Sequence, residues 1–220
     1  MAVLEGGVSA ALTGVGLEAA SPLHVTNKPV PYGALGHYCS TVRFALVNSQ
    51  AANSRLWQIR NTSATNLIVV TRLEVRWQQT AAHTAAILDQ LALYKLTGFT
   101  AVDTTNTVTP TVSLRRTSMG ATTAAIRHVT VAGVAAGMTG GTLTKDTNAA
   151  MLLEQWLLLA QPTAGPVTPM TKDLLDNANG THPFVLVQNE GLGLENVVAL
   201  GAAAGSSVTV DLSYAEVTAF

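Results

Sequence analysis

The strictest constraint on this chain is the alternation that runs from Leu67 to Trp77. Leu67, Val69, Thr71, Leu73, Val75 and Trp77 fall at every second position, and Ile68, Val70, Arg72, Glu74 and Arg76 fall between them. A period of two belongs to a strand, because successive side chains of extended backbone point to opposite faces. The Arg-Glu-Arg side is expected to face water or a partner, as in an antiparallel sheet covered on one face. The same period recurs at Val42, Phe44 and Leu46, and at Val208, Val210, Leu212 and Tyr214. Shorter strands are expected over Arg55–Asn61, Leu91–Thr97 (ended by Gly98), Pro183–Gln188 and Leu192–Val198, and a buried strand over Met151–Leu159. Helix signals are weak: Thr80 before an Ala-rich run predicts a short turn over Thr80–Asp89, and Leu174 and Leu175 predict one within Thr171–Ala178. About eight strands with almost no helix predict an all-β fold, an antiparallel two-sheet sandwich of jelly-roll type.

Residues 1–36 carry no sustained period, and Pro22, Pro29, Pro31, Gly33 and Gly36 punctuate their second half. They are expected to form an extended N-terminal arm, with Leu23 and Val25 among the apolar residues that a neighbouring subunit would hold. Residues 37–220 are expected to form one sandwich domain, interrupted at about 100–150 by a long Thr-, Ala- and Gly-rich insertion. A connection of that length is usually functional or ordered by contacts.

Charge is scarce: Asp, Glu, Lys and Arg make up 11% of the chain and hydrophobic residues 48%, against roughly a quarter charged in an ordinary globular protein. Apolar surface that water does not cover well is commonly partner surface, so the chain reads as a subunit built to associate with copies of itself. The net charge of −1 lacks the basic footprint of a nucleic-acid binder, and no apolar run approaches the length of a membrane-spanning helix. The first twenty residues do not read as a signal peptide. One cysteine, Cys39, forms no intrachain disulfide.

Reactive motifs are sparse. The five histidines have no metal-ligand spacing among themselves or with Cys39, and Asp176, Asn177, Asn179 and Gly180 miss the register of a calcium loop. There is no Gly-x-Ser-x-Gly elbow, and Gly191-Leu192-Gly193 is not a dinucleotide fingerprint. His37 and Cys39 share a strand face, and Glu190 with Glu195 or Asp211 with Glu216 could in principle form a carboxylate pair. Core packing and soluble strand ends account for these residues more simply. No catalytic residue, cofactor or metal is therefore expected. Arg115 and Arg116 form the one compact basic cluster, suited to docking acidic groups on a partner.

Four stretches carry a resemblance. Pro31-Tyr32-Gly33-Ala34-Leu35-Gly36-His37-Tyr38, Arg116-Thr117-Ser118-Met119, His182-Pro183-Phe184-Val185-Leu186 followed by Asn189-Glu190-Gly191, and Tyr214-Ala215-Glu216-Val217 resemble poorly characterised proteins encoded among the structural genes of tailed bacteriophages. The similarity runs from about residue 22 to the carboxyl terminus. It implies a virion component with a β-sandwich body and carries over no site residue. The expected function is that of a non-enzymatic virion subunit. A capsid decoration or cement protein is favoured, binding its partners through Leu23, Val25, Tyr32, Arg115 and Arg116, self-associating as a trimer and contacting the major capsid protein. A neck, tail or fibre component is the alternative, as is a carbohydrate-binding module using Trp57, Trp77 or Trp156. A hydrolase on a sandwich scaffold is a third class.

Overall fold

The computed structural model describes residues 36–80, 87–115, 120–146, 152–160, 170–176, 183–200 and 205–219. The chain divides into two units, Met1–Pro31 and Tyr32–Phe220. The first lies wholly outside the described residues, as do the expected arm anchors Leu23 and Val25.

The described chain is all strand and connection. Thirteen strands run in order: β1 (His37–Leu46), β2 (Ser54–Asn61), β3 (Leu67–Gln79), β4 (Ile87–Ala101), β5 (Thr107–Val108), β6 (Ser113–Leu114), β7 (Ala124–Val129), β8 (Thr142–Lys145), β9 (Leu152–Ala160), β10 (Met170–Asp176), β11 (Phe184–Leu186), β12 (Gly191–Asn196) and β13 (Ser206–Val217). They form two antiparallel sheets. The first has the order β10-β3-β13-β1-β6, with β11 also on β3; the second has the order β5-β7-β2-β12-β4-β8, with β9 also on β4. The sheets pack face to face over one core that includes Phe44, Val75, Trp77, Val210 and Leu212 from the first and Trp57, Ile59, Leu93, Ile126 and Leu194 from the second. Phe44 of β1 stacks on His128 of β7 across the gap, 6.3 Å between ring centres.

The long alternation of β3 is broken once. Arg72 pairs with Ser213 and Val70 with Tyr214, so Thr71 is a bulged extra residue and the faces exchange there. Ile68 and Val70 join Leu73, Val75 and Trp77 in the core, whereas the uninterrupted pattern placed Ile68 and Val70 with the arginines. The Thr71 hydroxyl donates to the Ser213 carbonyl at 3.1 Å, which satisfies the irregularity.

Other expectations shift for physical reasons. The turn predicted over Thr171–Ala178 is strand β10, because the edge of β3 offers backbone partners from Arg72 to Trp77 that outweigh a weak helical preference. Residues 81–86 lie outside the described residues, but Ile87–Asp89 of the other predicted turn begin β4. Gly98 does not end that strand. It adopts φ +54°, a conformation that glycine reaches without steric cost, and β4 continues to Ala101 with its register against β8 shifted. The 100–150 stretch holds β5 to β8. Of these, β7 lies within the second sheet between β5 and β2.

Candidate functional site

The outer face of the first sheet is built by register. β1, β13 and β3 align Arg43, Thr209 and Arg76 in one row, Thr41, Asp211 and Glu74 in the next, and Cys39, Ser213 and Arg72 in the third. Glu74 is buried although it points away from the core, because Arg72 and Arg76 close over its carboxylate from either side. Arg76 also reaches Asp211 at 2.5 Å, which accepts from the Thr41 hydroxyl at 2.5 Å. Arg43 donates to Ser207 at 3.1 Å. About half of the Arg72 side chain (53%) stays open to solvent. Guanidiniums backed by carboxylates make a hydrogen-bonding surface with little net field, suited to fixing the register of a contact more than to attracting a polyanion.

The outer face of the second sheet carries a different cluster. A bulge at Leu56, between the pairs Trp57–Leu194 and Arg55–Glu195, sets Arg55 beside Glu195. Arg55 reaches buried Asp103 at 2.6 Å and Glu195 at 3.6 Å, and Lys145 reaches Glu195 at 2.7 Å while lying 4.5 Å above the Tyr94 ring. Asp103 also accepts the Gly141 N–H at 2.8 Å, and with its amide oriented to suit, Gln58 donates to Asp103 at 2.9 Å. This network ties the long connection after β4 to the sheet. Its buried carboxylates are all paired, which is a structural use of charge.

A third cluster closes one end of the core. Tyr38 and Tyr214 stack with 5.3 Å between ring centres. The buried Glu216 carboxylate accepts from the Thr122 hydroxyl (2.6 Å), the Thr123 N–H (2.7 Å) and the Thr123 hydroxyl (3.0 Å). Thr122 also meets the Tyr214 hydroxyl at 2.7 Å, and Tyr38 donates to the Gly120 carbonyl at 3.0 Å. Burial pushes both phenols above their usual range, with the Glu216 charge adding to the shift.

The residues singled out in the sequence separate in space. Arg115 is exposed just after β6, where its N–H donates to the His37 carbonyl at 2.9 Å. Tyr32 and Arg116 lie outside the described residues. The Cys39 thiol donates to the Ser113 carbonyl at 3.7 Å, and His37 sits 3.4 Å from the Thr71 hydroxyl. His37 has its basicity lowered by burial and by the Arg115 charge. Asp211 and Glu216 lie on opposite faces of β13, and Glu190 is engaged by Lys95 at 3.0 Å. Neither carboxylate pair forms a two-sided cleft. Among the described residues no group of three or more His, Cys, Asp or Glu converges as metal ligands would. Trp57 and Trp77 are buried in the core and present no ring face to a sugar. The sequence reading missed Arg43, Thr41 and Asp211 as members of one surface. Their spacing in the chain gives no sign of it, since only the pairing of β1 with β13 brings them together.

Comparison with family models, with curated proteins and with solved structures found no match.

Proposed function

We propose that this chain is a non-enzymatic structural subunit of a bacteriophage virion, a jelly roll that decorates and cements the capsid. The observation that carries the reading is strand order. Setting aside β5–β8 as an insertion and taking β10 with β11 as one position, the frame strands number one to eight. They then lie as one-eight-three-six in the first sheet and two-seven-four-five in the second. That exchange between sheets is the order a double Greek key would give, and it supports a jelly roll, an architecture used by viral capsid and lectin domains. Fold alone supports the class by analogy. The resemblance and the scarcity of charge support it from the sequence, and the burial of Trp57 and Trp77 weighs against the lectin branch.

As a cement, the subunit would act through shared surface. Apolar area removed from water contributes about 25 cal/mol per Å² before ordering costs. Polar groups on the outer face of the first sheet and exposed Arg115 would fix how it seats on the major capsid protein, and the arm would add contacts to a neighbour. The test is to band virions of the phage whose genome carries the gene in a density gradient and quantify their peptides by mass spectrometry. Peptides of this chain at a copy number comparable with the major capsid protein are expected. A small fraction of that number would move the subunit to the neck, tail or fibre, and absence from the particle would overturn the proposal.

A further inference from the structure

We infer that two copies of this chain associate through the edge of β9 that no described residue pairs, joining their second sheets into one continuous sheet across a two-fold axis. The inference goes beyond the cement reading by naming a surface for the self-association that the scarcity of charge leads one to expect. It starts from how the fold treats its edges. A strand with one unpaired side is a template for another chain, and natural sheets blunt such edges by making them short, charged or bulged. In this molecule β5 and β6 have two residues each and β11 has three. β8 has four and includes Lys145. β10 has seven, with Lys172, Asp173 and Asp176 in its sequence and a register break after Asp173.

β9 follows none of these rules. It is nine residues long, Leu-Leu-Glu-Gln-Trp-Leu-Leu-Leu-Ala, with one charge and no Lys, Pro or Gly. Among the described residues it pairs with β4 alone, from Ile87–Ala160 to Tyr94–Leu152. Among the described residues its far edge is thus unpaired over about 30 Å of strand.

The sequence of β9 suits its own copy. Two strands related by a two-fold axis run antiparallel, so the Leu152-Leu153 end of one meets the Leu157-Leu158-Leu159 end of the other in a register centred near Trp156. Glu154 of each copy then lies opposite an apolar residue, away from the other Glu154, so like charges do not oppose. Such a pairing makes about nine interstrand hydrogen bonds and closes on itself, leaving no further β9 edge open. It is a two-fold contact, where the sequence alone led to the expectation of a trimer.

The test uses the full-length protein. Light scattering over a concentration series is expected to show a doubling of the 22.8 kDa chain mass. Over the same series, amide exchange within residues 152–160 is expected to slow about tenfold as the edge becomes protected. Leu157→Lys should return the mass to that of a single chain, while Leu114→Lys, on exposed β6, leaves the doubling intact. A wild-type protein that stays monomeric at all concentrations overturns the inference. So does an oligomer whose exchange at 152–160 is independent of concentration, a readout that needs no variant to fold. Virion peptide quantification is separate, so either proposal can fail without the other.

Discussion

At the scale of single residues, two buried groups determine how the sandwich responds to change. Glu216 depends on Thr122 and Thr123 for its three hydrogen bonds, and Thr122 also serves Tyr214. Thr122→Val keeps the shape but removes one of the two donors on Glu216 Oε1, the partner of the Tyr214 hydroxyl and the acceptor of the Ala124 N–H. It is expected to cost about 1–3 kcal/mol in urea unfolding, with Thr123→Val costing less because it removes one hydrogen bond, to Glu216 Oε2, where Thr122→Val removes three. His128 is the second group. Its Nδ1 lies 2.7 Å from the Val129 carbonyl, an acceptor only, so the neutral ring carries its proton there. Burial lowers its basicity, partly offset by that bond. The unfolded histidine thus binds a proton more readily than the folded one. The stabilisation is complete above the unfolded value of about 6.5 and is lost as pH falls below it, at about 1.4 kcal/mol for each unit of lowering. Unfolding midpoints measured from pH 7.5 to 5 are expected to decline. His128→Phe, which keeps a ring against Phe44, should flatten part of that slope and leave the part due to His37.

Elements show where small residues are required. A Cβ on Gly191 would come within 2.2 Å of the Ile59 carbonyl oxygen and 2.7 Å of the Phe99 ring, whereas one on Gly193 would meet the end of the Leu96 side chain at 3.0 Å. Gly191→Ala is therefore expected to lower stability by about 1–3 kcal/mol and Gly193→Ala by less, an order that thermal unfolding of the two variants checks. The glycine pair of Gly191-Leu192-Gly193 thus makes room for Phe99 and Leu96, which no reading of the chain in isolation reveals. β1, β3 and β13 were legible because each buries one face and alternates accordingly. β7 was not, since Ala124 and Ala125 carry little hydrophobic signal and its place beside β2 comes from pairing. β10 was misread because its leucines are adjacent, a spacing that a bulge accommodates and simple alternation does not. The exchange of faces at Thr71 is likewise invisible, as one inserted residue depends on the partner strand for its meaning. Of the candidate docking residues only Arg115 falls among the described ones. The outer-face cluster around Glu74 was half legible, through Arg72 and Arg76.

For the molecule as a whole, the described core draws on residues from Tyr38 to Tyr214. Removing residues 1–30 is accordingly expected to leave the cooperative unfolding transition in place, as circular dichroism would show, and, on the proposed cement reading, to weaken co-sedimentation with capsids. Loss of the transition would mean that the arm completes the core. The excursion after β4 is closed at its base. One carboxylate, Asp103, takes Arg55 on the sheet and the backbone of Gly141 together, so the excursion leaves and rejoins the body at a single clasp. A chain segment closed at its base can lengthen at little entropic cost. Provided Asp103, Gly141, β6, β7 and the stretch from Gly120 to Thr123 that serves Tyr38 and Glu216 are kept, the remaining connections form a natural cassette in which foreign peptides could be carried, and in which related chains could diverge while their bodies stay alike.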